Sequence, residues 1–292
     1  MTHLIHPYED LAGGEWLRGN LHTHTTRSDG SESPQAVVSD YARRGYDFLA
    51  LTDHDKTISE AELDSLDSAG MVLLPGNEVT ANGPHLVHVG ASVRIDPVAD
   101  RQAVIDEAEK RGGLVFVAHP DWEARFDHCP LENLRRWKGY AGVEIFNGGV
   151  SILDEGSAYA VRKWEALLTD GRRVWGCATD DSHAPGHVGI GWDMVHARER
   201  TSGAILEALA TGRSYASSGV VISSIQVEGL RIRIETENAV RIRCTERWAR
   251  PLRIVDDRVI EVAVPETAPY VRFTCWGAGE QFAWTQPFWV GE

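Results

Sequence analysis

The sequence predicts an α/β protein, with a barrel of parallel strands and helices followed by a small antiparallel β domain. Over residues 16–215, short apolar runs alternate with helix-like stretches, which is typical of a parallel sheet covered by helices. From about residue 221, apolar and polar residues alternate with a period of two, which is typical of strands with one buried face. We therefore expect an N-terminal lead-in at 1–17, the barrel at 18–218 and the β domain at 219–292.

Continuous apolar runs predict the buried strands of the barrel. Strands of a parallel sheet are covered on both faces, so their sequences are apolar throughout rather than alternating. The runs are YDFLALT (46–52), MVLLPG (71–76), LVFVAH (114–119), AGVEIF (141–146) and RVWGCAT (173–179).

Helix signals stand between these runs. Ser33 followed by Pro34 is an N-cap with proline in the first turn, and Gly45 follows the basic end of the same helix. The same signals predict three further helices, one from Asp96-Pro97 to Gly112 and two that end at Gly171 and Gly212.

Two stretches predict the β domain, which we expect to pack as a sandwich or half-sandwich. SSIQVEGLRIRIETENAVRIRC alternates throughout, and APYVRFTCWGAGEQFAWTQPFWV has the pattern of two strands around a glycine-rich turn. Four of the ten tryptophans lie in this domain. We expect them to pack its core, with a sugar-binding surface as the alternative.

The charge balance limits the partners of this chain. Its formal net charge is −14, which argues against a long nucleic acid or an anionic membrane as the main partner. No run of about 18 apolar residues occurs, so we expect no membrane span. The four cysteines form no C-x-x-C pair and the first residues lack a signal-peptide pattern. The sequence therefore predicts reduced thiols in a cytoplasmic protein, and no particular oligomeric state.

Histidine, aspartate and glutamate cluster where the predicted strands end. All twelve histidines lie at or before His196. In barrels and open α/β sheets the active site lies at the carboxyl ends of the strands. The segments concerned are NLHTHTTRSDG, TDHD, GNEVTANGPHLVHVG, VAHP and ATDDSHA.

The spacing within these segments favours a metal site. Residues i and i+2 of an extended chain face the same side, so His22 and His24 can point together, as can Asp181 and His183. Imidazole and carboxylate ligands together suit Zn, Mn or Fe. A carboxylate such as Glu78 can also bridge two cations.

Each segment has a simpler interpretation as well. A single His-x-His pair is weak evidence, His54 between two aspartates can be a salt-bridged surface turn, and His119 can be an ordinary strand-end histidine. Together these interpretations need several independent coincidences at one end of the sheet. In addition, they would leave many titratable groups close together without cations, and such groups shift one another's pKa values. We therefore expect a metal centre.

In this order, the motifs HTH…SDG, TDHD, GNEVT, AHP and DDSH resemble those of the PHP superfamily, named after polymerase and histidinol phosphatase domains. They cover about residues 18–215. The opening WLRGNLHTHTTRSDG and the late YASSGV resemble the stand-alone PHP metallohydrolases with a C-terminal β domain. The resemblance implies a distorted (β/α)7 barrel and two or three divalent metal ions, which in full form a trinuclear centre.

The resemblance also implies a ligand set. The first metal would take His22, His24, Glu78 and Asp181, the second Glu78, His85 and His119, and the third Asp29, His54 and His183. For the second metal, His88 is the alternative to His85. Residues three apart on one strand face opposite sides, so both can be ligands only across a bulge, and we favour His85.

The implied activity is hydrolysis of a phosphoester by a metal-activated water. The expected substrate is small and phosphorylated: a phosphomonoester, a short nucleotide or a cyclic phosphate. Asp55 and His183 are candidates to protonate the leaving group, on position alone. Arg125, Arg135 and Arg136 are candidate phosphate contacts, with a solvated helix face as the alternative.

Two other functions remain open. One is a metal-dependent hydrolase of a non-phosphate ester or carbamate, and the other is a metal-stabilised, non-catalytic binding module. Every implied ligand position carries a chelating residue, which favours an enzyme over a binding module.

Overall fold

The computed structural model describes residues 2–9, 11–154 and 156–291. Strands β1 to β10 are His3–Ile5, Glu15–Asn20, Phe48–Leu51, Val72–Val79, Leu86–Val89, Leu114–Val117, Gly142–Asn147, Trp175–Thr179, Trp192–Ala197 and Ser214–Ser217. Strands β11 to β18 are Ile222–Glu228, Arg231–Thr236, Arg241–Glu246, Arg250–Val255, Val259–Ala263, Tyr270–Trp276, Phe282–Thr285 and Phe288–Gly291. Helices α1 to α7 are Pro34–Arg43, Glu60–Asp64, Arg101–Arg111, Leu131–Arg136, Gly148–Leu153, Val161–Thr169 and Ser202–Thr211, and two short 3₁₀ helices are Pro185–His187 and Arg247–Ala249. Within these described residues, no helix has both the length and the apolar character needed to cross a membrane.

The first part of the chain forms a mixed sheet in the order β2-β3-β4-β5-β6-β7-β8. Strands β2, β3 and β4 are parallel to one another, and so are β6, β7 and β8. The prediction of an entirely parallel sheet is wrong for β5, which is antiparallel to both neighbours. Residues 80–85 join β4 to β5, and such a short polar turn can only reverse the chain, since a parallel crossover needs about a dozen residues.

The predicted strands and most helix ends are confirmed. All five apolar runs contain strands, β3, β4, β6, β7 and β8, and the Ser33 side chain caps α1 by accepting from the amide of Ala36. Helix α3 begins at Arg101, later than predicted. Its N-cap is Asp100. The buried Arg101 guanidinium donates to the carbonyl of Val98 in the preceding loop, which keeps that loop out of the helix, and to three carbonyls of the β4–β5 turn.

The C-terminal part is antiparallel, as predicted. The large sheet continues from β2 through β9, β10, β17, β16, β18 and β1. Strand β13 pairs with β16, and β14 pairs with β13. Strands β11, β12 and β15 form a second sheet. Apolar side chains of the two sheets share one core, including Ile225, Ile232, Ile234, Ile242, Phe273 and Cys275. The antiparallel strands β9, β10, β17, β16, β18 and β1 are therefore continuous, through β2, with the strands that carry the predicted site.

Candidate metal centre

The nine predicted ligands lie together at one end of the mixed sheet. His22, His54, His119 and Asp181 each follow the carboxyl end of a strand by two or three residues. His85 immediately precedes β5. Since β5 runs antiparallel, its amino end lies at the same edge as the carboxyl ends of its neighbours, and the unexpected strand direction places His85 with the others.

Glu78 is the central residue of this cluster. It is fully buried on β4, with 0% of its surface exposed. Five imidazole nitrogens surround its carboxylate: His85 Nδ1 at 2.9 Å, His119 Nε2 at 3.2 Å and His22 Nε2 at 3.4 Å from Oε1, and His54 Nδ1 at 2.6 Å and His24 Nε2 at 3.6 Å from Oε2.

Asp181 and Asp29 complete the cluster on either side of Glu78. Asp181 Oδ1 lies 3.0 Å from His24 Nε2 and 3.3 Å from His22 Nε2. Asp29, on the more exposed side, lies 3.5 Å from His54 Nε2 and 3.4 Å from His183 Nε2. Glu78 and Asp181 therefore contact the buried imidazoles, and Asp29 lies between the outer histidines, of which His54 also contacts Glu78.

Four overlapping groups of these side chains bring their donor atoms close enough to bind an ion. Their members are His22, His24 and Glu78; His22, His119 and Asp181; His24, Asp29, His54 and His183; and His85, His119 and His128. His128, which belongs to none of the sequence motifs, is buried beside the cluster, and its Nε2 accepts from the amide of His85 at 3.2 Å. The sequence did not indicate this position, because no motif includes residue 128 and it lies 43 residues from His85.

The donor set fits divalent cations. His22 Nε2 and His24 Nδ1 are buried without a hydrogen-bond partner. Both point among carboxylate oxygens, and a buried polar nitrogen with no partner is unfavourable unless another group satisfies it. A mixed imidazole and carboxylate environment of this kind suits Zn, Mn or Fe.

Glu144 on β7 supports the cluster and was not predicted. Its Oε1 lies 2.7 Å from His22 Nδ1 and accepts from Thr179 Oγ1 at 2.8 Å. Its Oε2 accepts from the His119 amide at 2.8 Å and from Asn147 Nδ2 at 2.9 Å. With His22 Nδ1 bound to this carboxylate, Nε2 is the nitrogen that can serve as a ligand. The sequence did contain a signal for Glu144: it is the one acidic residue inside the apolar run AGVEIF, and a buried glutamate needs a partner.

The electrostatics of the cluster follow from burial and close charges. Burial lowers the pKa of His22, but Asp181, Glu144 and Glu78 outweigh it and raise that pKa well above its ordinary value. Burial raises the pKa of Glu78, but His85 and His22 reverse the effect and leave it well below the usual range. For His24, burial dominates and lowers the pKa to about 4. The cluster therefore keeps Glu78 ionised and His24 neutral, the forms in which both bind cations.

Other residues of the same motifs shape the surrounding loops. Asp53 accepts four hydrogen bonds, from the amides and hydroxyls of Thr25 and Ser28, and so orders the loop that leads to Asp29. Asp55 accepts from the amides at positions 80 and 81, in the turn after Glu78.

Several other predicted residues lie elsewhere. His88 Nε2 is 2.6 Å from the carbonyl oxygen of Gly112, on the face of β5 opposite to His85. Among the described residues, the acidic partners of Arg125 and Arg135 are Glu123 and Asp170, and Arg136 bonds to Asn133, so none of the three arginines contacts the cluster.

A cavity of about 380 Å³ adjoins the outer side of the cluster. His24 and His183 of the cluster and Ala36 and Val37 of α1 are among the residues that line it. Its size lies within the range of small-molecule sites. Two members of the cluster therefore line a cavity of a size that suits a small molecule.

Comparison with known proteins identifies the fold. No protein-family model matches the chain. Over 97 residues it is 34% identical to the 5'-3' exoribonuclease Rnm of Salmonella typhimurium and 40% identical to the 3',5'-nucleoside bisphosphate phosphatase of Chromobacterium violaceum. The matched segment covers 32% of this chain. The chain thus spans about a third of the length of each of these curated relatives. A two-domain protein of Bacteroides vulgatus, described as containing a PHP-like metal-dependent phosphoesterase, superposes with a TM-score of 0.60 at 18% identity, over 96% of this chain and 88% of that one.

The chain has the PHP fold. The predicted resemblance to this superfamily is thus confirmed. The superposition extends over nearly the whole chain, so it takes in the C-terminal β domain as well as the part that carries the cluster.

Proposed function

We propose that this PHP protein is a metal-dependent hydrolase that cleaves a phosphoester with a metal-activated water. The observation that carries the proposal is the position of Glu78, whose two oxygens face different sets of imidazoles within 3.6 Å. A carboxylate placed in this way suits a bridge between cations. The name of the Chromobacterium violaceum relative supports a small nucleotide or another phosphomonoester as substrate, and the net charge of −14 disfavours a long nucleic acid.

The residues that would hold the ions are those implied by the sequence motifs. We assign His22, His24, Glu78 and Asp181 to the first, Glu78, His85 and His119 to the second, and Asp29, His54 and His183 to the third, for two or three Zn, Mn or Fe ions. His128 is an additional candidate for the second site because it groups with His85 and His119. Bound cations of this kind lower the pKa of water and stabilise charge on a phosphoryl group.

The protein's own contribution is to orient these ligands and to supply a proton. Glu144 directs His22, and Asn147 Nδ2 lies 3.2 Å from Asp181 Oδ2. His183 lines the adjoining cavity and is only partly buried, so with two ions bound we assign to it the protonation of the leaving group; with a third ion bound it would be a ligand instead.

Asp55 is the second candidate for proton transfer, although both of its oxygens accept backbone amides, at 3.0 and 3.1 Å. The variant Asp55→Asn separates the two roles. Slower turnover with unchanged metal content would support proton transfer, and loss of metal would show that Asp55 positions the turn after Glu78.

The finer features of the fold belong to the same proposal. We infer that β2 to β8 form the distorted seven-stranded barrel, and the isolated bridge between Thr23 and Ser182, which joins the ends of β2 and β8, supports its closure. The divisions at 17/18 and 218/219 and the cytoplasmic location remain predictions.

The test is elemental analysis of the purified protein beside the double variant His22→Ala/His24→Ala, with hydrolysis of a phosphomonoester and a phosphodiester assayed on the same samples. The control is His3→Ala, an exposed histidine outside the cluster. Two or three equivalents of metal, lost together with phosphatase activity only in the double variant, would support the proposal. Bound metal without phosphoester turnover would redirect it to a non-phosphate ester or carbamate, and a protein that takes up no metal would overturn the site.

A further inference from the structure

A second recess lies between the start of α6 and one face of the C-terminal part of the large sheet. Its volume is about 790 Å³. We call it the Arg243 groove and define it by Tyr159, Arg162, Arg243, Thr245, Trp276 and Phe282. It shares no lining residue with the cavity beside His24.

The strand register places the sheet residues of the groove on a single face. Arg243 and Thr245 alternate along β13, and residues 272, 274 and 276 alternate along β16. Arg243 pairs with Thr274, and Trp276 pairs with Phe282 of β17. Side chains two apart on a strand, and side chains directly opposite across a pair, share a face. The polar and aromatic sides of the groove therefore belong to one rigid surface.

The cations of the groove divide into two kinds. Lys163 is held by Asp121 at 2.7 Å, and Arg272 is held by Glu165 at 2.6 Å. Arg162 and Arg243 form no ion pair with any carboxylate in the described part of the chain. In a protein of net charge −14, two guanidinium groups left without carboxylates favour an anionic ligand.

Two buried polar atoms of the groove also lack partners. Thr245 is only 2% exposed, yet its Oγ1 makes no hydrogen bond. Arg243 donates through Nη2 to the carbonyl of Ala249 at 2.6 Å, while its Nε is buried and unpaired. Buried hydroxyl and guanidinium groups are normally satisfied. Both atoms belong to residues that line the groove, two positions apart on one strand, and both are covered by protein atoms when the groove is empty, so a small side-chain rotation would bring them to a ligand.

Aromatic rings form the other side of the groove. Phe282 stacks on Trp284 with ring centroids 5.3 Å apart and an angle of 17° between the planes. The rings of Tyr159 and Trp276 stand against Phe282 edge-on, at 5.7 and 6.1 Å. Phe282, Tyr159 and Trp276 all keep part of their surface exposed. Such rings accept a planar group by stacking, as they do for nucleobases.

We propose that the Arg243 groove is a second ligand site that binds a nucleoside monophosphate. Arg243 and Arg162 would meet the phosphate, Thr245 would hydrogen-bond to it, and the base would lie against the rings of Phe282 and Trp276. The groove volume suits a ligand of this size. The site is independent of the metal centre, because none of the groove residues belongs to the cluster.

The test is isothermal titration calorimetry with adenosine 5'-monophosphate in the presence of EDTA. The proteins are the wild type, the metal-centre variant His22→Ala/His24→Ala, and three groove variants: Arg243→Gln, Thr245→Val and Trp276→Leu. Arg231→Gln, an exposed arginine on the other sheet paired with Glu261, is the matched control. Thr245→Ser keeps the hydroxyl and controls for Thr245→Val.

We expect one groove-dependent binding event that the metal-centre variant and Arg231→Gln retain. Arg243→Gln and Trp276→Leu should each weaken it by at least about tenfold, equivalent to about 1.4 kcal/mol. Thr245→Val should weaken it and Thr245→Ser should not. Adenosine and inorganic phosphate alone should each bind at least about tenfold more weakly than the nucleotide.

The proposal would be overturned by binding that Arg243→Gln leaves unchanged, by adenosine binding as tightly as the nucleotide, or by no binding heat in the wild type. If the metal-centre variant does not fold, the KM of phosphoester hydrolysis in Arg243→Gln decides whether the groove is separate from the metal centre. An unchanged KM with lost nucleotide binding supports a separate site, and a KM that rises in parallel overturns the independence of the groove. The calorimetry in EDTA does not depend on the proposed catalytic activity, which the assays of His22→Ala/His24→Ala test; only the KM comparison presupposes that activity.

Discussion

Replacing Glu144 by glutamine tests whether a residue that is not a proposed ligand controls the metal centre. The carboxylate is 1% exposed and accepts four hydrogen bonds, two at each oxygen. Glutamine has the same shape but turns one oxygen into an NH₂ group. If the NH₂ group takes the Oε2 position, the His119 amide and Asn147 Nδ2 both face a donor. If it takes the Oε1 position, the Thr179 hydroxyl can turn to accept, and His22 Nδ1 can accept only in the tautomer that carries the proton on Nε2.

The magnitude follows from these contacts. Each buried donor left without an acceptor costs about 1–3 kcal/mol, so the free energy of unfolding of the metal-free protein should fall by at least about 1 kcal/mol. That loss lowers the melting temperature by several degrees. Loss of the bond to His22 Nδ1 also frees the ring to rotate and to change tautomer, so metal affinity should fall by about 10–100-fold.

Two measurements separate these effects: thermal unfolding in excess EDTA, and metal affinity by competition with a chelator. Glu228→Gln, an exposed glutamate on β11, is the control and should change neither. Lower stability with unchanged metal affinity would refute the reasoning, because Glu144 would then only fill a polar core. An unchanged melting temperature would show that the four hydrogen bonds of Glu144 make no net contribution to the free energy of unfolding.

Three further predictions concern other parts of the molecule. A Cβ atom on Gly149 would lie 2.8 Å from the carbonyl oxygen of Asp181, so Gly149→Ala should displace Asp181 and reduce the metal content. Gly186→Ala is the control, because Gly186 has open space around it, and elemental analysis should find its metal content unchanged. Asp53→Ala removes four bonds from the loop leading to Asp29, so bound metal should drop by about one equivalent while the rest stays, and an unchanged metal count would contradict the assignment of that loop. Burial raises the pKa of all four cysteine thiols, so a thiol reagent at neutral pH should modify none in the native protein and four after denaturation; fast labelling of the native protein would disprove their burial.

The ligand motifs were predictable from sequence because each is a local pattern with its own chemistry. The pair at 22 and 24 needs only an extended backbone to point together, and the apolar runs before the motifs identify strand ends. Asp181 and His183 also lie close together, at 3.7 Å, but through a left-handed conformation of Asp181 rather than an extended chain. The buried strands were predictable for a similar reason, since a sheet covered on both faces requires continuous apolar residues.

The residues that escaped prediction are those whose role depends on contacts far apart in the chain. Glu144 meets His22 across a sequence separation of 122, and no motif links the two. Asp180 and Asp181 are adjacent and chemically identical, yet Asp180 accepts the amides of residues 189–191 and Asp181 faces the cluster. The direction of β5 depended on a turn too short for a crossover, a length constraint that apolar periodicity does not express.

Strand β7 shows how the centre depends on residues that bind nothing themselves. His119 and Asp181 have φ angles of 23° and 48°, in the left-handed region that is unfavourable for residues with a Cβ by about 1–3 kcal/mol each. Residues of β7 restrain both, since Glu144 Oε2 accepts the His119 amide and Asn147 Nδ2 reaches Asp181 Oδ2. Glu144 also directs His22, so one strand between β6 and β8 sets the positions of proposed ligands from three different strand ends. A chain could therefore keep every ligand motif and still lose the centre through changes in β7 alone, because the strained conformations would relax once their restraints were removed.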